Sequence, residues 1–147
     1  MRIILLLALL AVTRTNSANP QKDISPPVDG RPETVVQQFV DAANARDVQR
    51  MAALVAVDAV FARFPGGQVI AQSREGIREH YAKGLGLRSS EVHITVQPRI
   101  VEGQFVIDQE HITGLPGGPL QATWMYLVRD GLIHRAWALD AQPEPVR

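Results

Sequence analysis

One predicted strand of the chain, residues 105–113, carries a cluster of ionisable side chains. Two-residue alternation places Asp108 and Glu110 on one face of this strand and Gln109 and His111 on the other. A histidine that faces an apolar pocket suits general-base catalysis, because its ordinary pKa lies near neutrality. We therefore take His111 as the candidate catalytic base. The alternative is that His111 has no catalytic role and is a half-buried side chain whose imidazole forms a hydrogen bond with Gln109 or with a backbone carbonyl.

The face of this strand that turns inward decides between two kinds of site. Ile107 shares the face of Gln109 and His111 and needs burial, which favours that face as the inward one. A register one residue away would instead turn Asp108 and Glu110 inward, because one step reverses every side chain of a strand. An inward pair of carboxyls would resemble a general acid–base site, whereas an outward pair only solvates the surface.

Other catalytic and metal-binding signatures are missing from the sequence. The chain has no cysteine, so disulfides and thiolate metal sites are excluded. The histidines are scattered, without the short spacing that brings several zinc ligands together. The glycine-rich segment 114–118 precedes no predicted helix and is therefore no phosphate cradle. We predict no metal and no cofactor.

The longest sheet signal is a hairpin near the carboxyl end. Two alternating runs, 120–129 and 132–140, flank Asp130 and Gly131, a pair that is typical of tight hairpin turns. The first run is mostly apolar on both faces, which is typical of a strand in the middle of a covered sheet.

Both tryptophans of the chain lie in this hairpin. Alternation puts Trp124 and Tyr126 on one face of the first strand, and Arg135 and Trp137 on one face of the second. An arginine inside an apolar pocket is costly unless it is paired. If this face lines an apolar pocket, Arg135 binds an anionic ligand group or meets a carboxylate such as Asp41; otherwise its stem packs while its guanidinium reaches solvent.

The chain ahead of the long strands predicts three helices. Pro32 suits a first helical position and is followed by apolar residues at helical spacing. Asp47 is the predicted N-cap of a second helix and Ser73 that of a third. A strand at 58–64 lies between the last two helices. Helices followed by four long antiparallel strands, from residue 91 onward, predict a segregated α+β fold.

The amino terminus has the layout of an export signal. Arg2 precedes an apolar run at 3–12, which small and polar residues follow; this pattern is typical of a signal peptide and too short for a permanent membrane span. We predict cleavage after Ala18 and an exported protein, periplasmic or secreted. The alternative is a retained membrane anchor.

Composition suggests the remaining segment boundaries. Residues 19–31 contain prolines and lack apolar periodicity, which indicates a flexible leader. The folded domain covers about residues 32–141, and prolines in the tail 142–147 do not continue a strand. Loss of Arg2 and Arg14 would leave the mature chain slightly acidic, since the full chain has 15 basic and 15 acidic residues. We predict no nucleic-acid partner and no stable membrane span after processing.

Several segments resemble the nuclear transport factor 2-like superfamily, in its SnoaL-like branch, which also contains ketosteroid isomerase. The segments are 35–47, 58–61, 74–81 and 128–133, and the likeness covers about residues 33–140. The resemblance implies a cone, also described as a cystatin-like roll, in which a strongly curved, mixed or antiparallel sheet wraps three N-terminal helices around a cavity. It also implies a homodimer that forms through the outer sheet face.

The resemblance further implies a site inside the cone, lined by apolar and aromatic side chains with a few polar groups. Its implied ligand-binding residues are Phe39, Gln109, Trp124, Arg135 and Trp137, with His111 as base and Tyr126 as hydrogen-bond donor.

The catalytic residues of ketosteroid isomerase itself have no counterpart here. Its tyrosine falls on Phe39, its catalytic aspartate falls near Arg63 or Phe64, and its aspartic acid falls on Trp124. We therefore predict no ketosteroid isomerisation by that mechanism, which is a well-known case of paired acid and base tuning.

Taken together, these patterns predict an exported SnoaL-like domain that binds a small hydrophobic or planar molecule, with acid–base chemistry of the isomerase, lyase or hydrolase type at His111. The alternative is a non-catalytic dimeric module whose cavity is filled by its own side chains and whose outer face binds a partner.

Overall fold

Three helices and a six-stranded sheet make up the domain in the computed structural model, which describes residues 29–143 and their side chains up to Leu139. The predicted signal peptide, most of the leader and the end of the tail lie outside the described residues. The α+β prediction is confirmed, and the sheet is curved but not closed. The elements are α1 (Pro32–Asn44), α2 (Val48–Ala53), β1 (Val55–Arg63), β2 (Val69–Gln72), α3 (Ser73–Gly86), β3 (His93–Glu102), β4 (Phe105–Thr113), β5 (Leu120–Arg129) and β6 (Leu132–Pro143).

Helices α1 and α2 begin where the sequence predicts, whereas Ser73, the predicted N-cap of the third helix, is the first residue of α3. Pro32 is the first residue of α1. The Asp47 carboxylate caps α2 by accepting a hydrogen bond from the Arg50 N–H at 2.9 Å, and the Ser73 hydroxyl accepts one from the Gly76 N–H at 3.2 Å. Among the described residues, no helix is long and apolar enough to cross a membrane.

The sheet has the strand order β2-β1-β6-β5-β4-β3. All neighbours are antiparallel except β1 and β6, which are parallel. The hairpin between β5 and β6 turns at Asp130 and Gly131, with φ values of 51° and 71°. These positive φ angles are the reason that the Asp-Gly pair predicts the turn correctly.

The concave face of the sheet holds the core and packs against the helices. A buried row crosses four strands through Val106, Tyr126, Ala136 and Phe61, which are neighbours in register and are at most 2% exposed. Phe39 of α1 packs edge-on against Phe61, with ring centroids 5.9 Å apart. Helix α1 therefore covers the centre of the concave face.

A bulge in β6 changes which of its side chains face inward. Leu127 pairs with Arg135, but its neighbour Val128 pairs with Ile133, so β6 contains one extra residue at this point. Ile133 is fully buried, whereas Arg135 and Trp137 lie on the convex face. The predicted inward position of Arg135 and Trp137 is wrong, because strict alternation from Ile133 takes no account of the extra residue.

The convex face carries an uninterrupted row of apolar side chains, here called the convex apolar row. Its members are neighbours in register across all six strands. In spatial order they are Val69, Ala62, Trp137, Met125, Ile107 and Ile100. The two ends of the row are open to solvent, since Val69 is 52% and Ile100 57% exposed.

Strand β3 is one edge of the sheet, and a helix side chain covers part of it. The Asn44 side-chain amide donates to the Ile94 carbonyl at 2.9 Å, and the Ile94 N–H donates to the Asn44 amide oxygen at 2.8 Å. Further along the same edge, Pro98 has no N–H to offer. The amide of Asn44 thus takes the place that a neighbouring strand would occupy at Ile94.

Candidate active site

Strand β4 turns its two carboxyls toward the concave face. Asp108 is 0% and Glu110 5% exposed, while Gln109 and His111 lie on the convex face. The predicted inward face of this strand is therefore wrong, and the alternative with an inward pair of carboxyls is observed. The burial that Ile107 requires is met in part by its neighbours in the convex apolar row, so it does not force the opposite register.

Glu110 is held by a tyrosine of the adjacent strand. The Tyr126 hydroxyl donates to Oε1 of Glu110 at 3.3 Å, and both side chains are on the concave face. Ala122 lies directly opposite Glu110 in β5, and its small side chain leaves room for the carboxyl. From the described residues, Oε2 of Glu110 accepts no hydrogen bond. One oxygen is therefore oriented by Tyr126, while the other has no hydrogen-bond partner among the described residues.

The surroundings of Glu110 raise the pKa of its carboxyl to about 7. Burial is the largest cause, because it penalises the charged form, and the negative charge of Asp108 acts in the same direction. The hydrogen bond from Tyr126 and the charges of Arg99 and Arg88 lower the pKa but do not offset these effects. Glu110 therefore exchanges its proton near neutral pH, which suits a general acid or base.

Asp108 forms a buried ion pair with Arg99 of β3. The guanidinium donates from Nε to Oδ1 and from Nη2 to Oδ2, each at 2.7 Å, in the forked geometry that arginine offers to carboxylates. The two residues are directly opposite in the register of β3 and β4. This pairing raises the pKa of Arg99 and makes the burial of Asp108 tolerable.

Helix α1 fixes the other side of this guanidinium. Nη1 of Arg99 donates to the Gln37 side-chain oxygen at 3.0 Å and to the Glu33 carbonyl at 3.2 Å. Sequence reasoning missed Arg99, although a signal for it exists. Counting back from a two-residue turn at 103–104 places Arg99 opposite Asp108. The site is thus tied to both layers of the fold.

An aromatic wall surrounds the carboxyls. Trp124 stacks on Tyr126 with ring centroids 6.1 Å apart and 20° between the planes. Phe39 packs edge-on against Tyr81 of α3 at 5.5 Å and against Tyr126 at 6.3 Å. Burial, followed by the charge of Glu110, raises the pKa of the Tyr81 hydroxyl. Burial likewise raises the pKa of Tyr126, so both hydroxyls keep their protons near neutral pH.

The predicted site residues therefore fall into two groups. Phe39, Trp124 and Tyr126 come together on the concave side of the sheet, as the sequence predicts. The other four predicted residues lie on the opposite, convex face of the sheet: Gln109, His111, Arg135 and Trp137.

Among residues 29–139, no group of three or more histidine, aspartate or glutamate side chains is placed to hold a metal ion. Away from the concave face, a shallow cleft of about 360 Å³ lies between α2 and α3, with Ala52 and Ala53 in its wall and Arg74 and Arg78 beside them. In that cleft Arg78 pairs with Glu75, and Arg74 donates to the Val55 carbonyl.

Solved structures with this fold come from several bacteria. A cystatin-fold protein from Novosphingobium aromaticivorans matches with a TM-score of 0.66 and 22% identity over 74% of this chain and 97% of its own. IdmH from Streptomyces antibioticus, assigned as a polyketide cyclase, matches with a TM-score of 0.63 and 22% identity over 76% of this chain and 92% of its own. A protein from Kribbella flavida, assigned as a ketosteroid isomerase, matches with a TM-score of 0.61 and 21% identity over 79% of this chain and 84% of its own. The fold is therefore that of the nuclear transport factor 2-like and cystatin-like proteins.

The sequence profile of the SnoaL-like domain matches residues 36–136. The chain accordingly belongs to the family of SnoaL-like domains, which confirms the resemblance noted in the sequence. No curated protein matches it.

Proposed function

We propose that the protein binds a small, largely apolar or planar molecule against the concave face and that Glu110 exchanges a proton with it. The observation that carries this proposal is the Glu110 carboxyl, which is 5% exposed, is oriented by Tyr126 at 3.3 Å and has a pKa of about 7. A carboxyl in this state acts as a base just above neutral pH and as an acid just below it.

The aromatic wall supplies the apolar part of the proposed site. Trp124, Tyr81 and Phe39 present ring faces and edges, which favour planar or hydrophobic ligands. Tyr126 has a positioning task, because its hydroxyl orients the carboxyl that transfers the proton. The assignment of two structural neighbours as a polyketide cyclase and a ketosteroid isomerase supports a reaction on a small organic molecule. It does not specify this chain's substrate.

Binding is tested with 2-naphthol, a planar molecule with one ionisable hydroxyl. The Trp137→Phe variant leaves Trp124 as the sole indole, so its fluorescence reports on the concave face alone. We expect saturable quenching by 2-naphthol, and weaker affinity when Glu110→Gln is added to this background. An added Glu79→Gln on the exposed face of α3 is the matched control. Quenching that does not saturate would contradict the binding proposal.

A second candidate function is that of an interaction module, which the convex apolar row favours. The row crosses the whole sheet and places Ile107, Met125 and Trp137 side by side, a larger apolar strip than isolated surface residues form. We propose that a second copy of the chain covers it. Met125→Lys should then give a monomer in sedimentation equilibrium, whereas Glu79→Lys should leave the dimer intact. A monomeric parent protein would refute this second proposal.

Export is a further proposal, which rests on the signal-peptide pattern of the first residues. Intact mass spectrometry of the protein purified from its own host should give the mass of a chain that begins at Asn19. The same spectrum under native conditions would report a dimer and any retained small molecule. Recovery of the full-length mass would refute cleavage after Ala18.

A further inference from the structure

The two buried carboxyls of β4 are held in different ways. Both oxygens of Asp108 accept charged hydrogen bonds from Arg99 at 2.7 Å. Glu110 accepts a single bond from the neutral hydroxyl of Tyr126 at 3.3 Å. Asp108 therefore has a bound counter-charge, whereas Glu110 has none within hydrogen-bond distance among the described residues.

We propose that Arg99 is a positioning residue that gives the two carboxyls separate tasks: Asp108 is the anion of a standing ion pair, and Glu110 alone exchanges protons with the ligand. This inference rests on the proposed function, because it concerns the same concave site.

The separation of tasks depends on the guanidinium. Two buried carboxyls that lie two residues apart on one face of a strand interact, so the proton exchange of each depends on the charge of the other. The forked, permanently charged guanidinium removes one of them from that exchange. The guanidinium of Arg99 also donates hydrogen bonds to the Gln37 side chain and to the Glu33 carbonyl of helix α1. These bonds fix its orientation toward Asp108. Proton exchange is then left to a single group with a defined orientation.

The groups that face Glu110 come from each neighbouring element. Asp108 lies on its own strand, Tyr126 on β5 and Arg99 on β3, while Tyr81 of α3 and Arg88, just after that helix, belong to the helical layer. Asp108 favours the protonated form of Glu110, and both arginines favour the ionised form. Arg99 pairs directly with Asp108, and its charge also lowers the pKa of Glu110.

The test is a pH titration of Glu110 followed by carbon-13 NMR of side-chain carboxyls in the whole protein, with Glu110→Gln used to assign the signal. In the parent protein we expect one step near neutral pH. In Arg99→Gln, Asp108 loses its counter-charge, so the Glu110 signal should titrate in two steps, with the midpoint higher by about one pH unit. Asp108→Asn should lower the midpoint and keep a single step. Arg31→Gln, which removes an exposed arginine paired with Asp29, should change neither.

Two further variants keep the test informative if Arg99→Gln does not fold. Arg99→Lys retains the charge but lacks the fork, and should shift the midpoint upward by a smaller amount. Arg99→Gln combined with Asp108→Asn removes the buried charge pair. Because the second titration step comes from Asp108, removing Arg99 in the Asp108→Asn background should raise the Glu110 midpoint but keep a single step.

The outcomes separate this inference from the proposed function. A single unshifted step for Glu110 in both Arg99→Gln and Arg99→Lys overturns the role of Arg99 and leaves the proposed function standing. A parent Glu110 that titrates in the ordinary glutamate range refutes the proposed function and the role of Arg99 together. Two titration steps for Glu110 after removal of Arg99 in the Asp108→Asn background also overturn the inference, since the second step could not then come from Asp108.

Discussion

The parent protein should become less stable to unfolding as pH rises, because Glu110 then loses its proton. The Glu110→Gln variant should not show this loss. Burial raises the pKa of the Glu110 carboxyl from 4.5 to about 7, so the folded state binds this proton more tightly than the unfolded state. Deprotonation is therefore easier in the unfolded chain. The stabilising contribution is complete below pH 4.5 and is lost as pH rises to about 7. The amide of the substituted side chain does not titrate, and its oxygen still accepts the bond from Tyr126.

The size of the effect follows from the difference between the two pKa values. Each pKa unit corresponds to roughly 1.4 kcal/mol, so the free energy of unfolding should fall by about 3 kcal/mol in total. About 2.5 kcal/mol of this fall lies between roughly pH 5 and pH 8, given the usual form of a single-site titration. That is a large share of the roughly 5–15 kcal/mol that holds a typical domain folded.

Urea unfolding of the parent and Glu110→Gln at a series of pH values measures this difference. The other ionisable groups are common to both proteins, so their contributions cancel in the comparison. We expect the two proteins to be similar near pH 5 and Glu110→Gln to be the more stable near pH 8. Glu79→Gln, at an exposed position of α3, should follow the parent. Parallel curves for the parent and Glu110→Gln would refute the buried, proton-binding carboxyl on which the proposed site depends.

Three other substitutions test contacts around the site and at the sheet edge. Tyr126→Phe removes the hydrogen-bond donor to the buried carboxyl of Glu110. It should lower the free energy of unfolding in urea by about 1 kcal/mol and raise the NMR titration midpoint of that carboxyl. An unchanged midpoint would contradict the hydrogen bond. Asn44→Ala leaves two backbone groups of β3 without their partner and should cost about 1–3 kcal/mol by the same assay, with Asn44→Asp intermediate because it keeps the acceptor. Gly114→Ala should cost at least about 2 kcal/mol, since φ is +75° and a Cβ would collide with a backbone carbonyl. Gly117→Ala meets no neighbour and should unfold like the parent; equal stability of the two alanine variants would argue against the strain.

Local signals in the sequence predict most elements of the fold correctly. The bounds of β4 and β5 and the turn at Asp130 agree with the structure, because alternating strands that end in glycine turns leave little freedom in placing them. Pro32 and Asp47 mark helix starts for equally local reasons. These signals involve only residues close together in the chain.

Side-chain direction depends on contacts that such signals do not contain. A bulge adds one residue to β6 between Ile133 and Arg135, and it leaves no mark in the alternation of apolar side chains. The orientation of β4 fails for a different reason: Asp108 is buried because Arg99, on another strand, neutralises it. Burial of a charge thus depends on its partner, and the preference of Ile107 for the interior is the weaker effect.

The amide bridge between Asn44 and Ile94 also has a consequence for how molecules of this protein can associate. An exposed edge strand is a template on which a foreign strand can add, and repeated addition leads to fibrils. Here a helix side chain already occupies both backbone hydrogen-bonding groups of Ile94, and Pro98 interrupts the ladder a few residues later. Growth of the sheet past β3 is therefore blocked at two points, which disfavours the addition of a foreign strand at this edge.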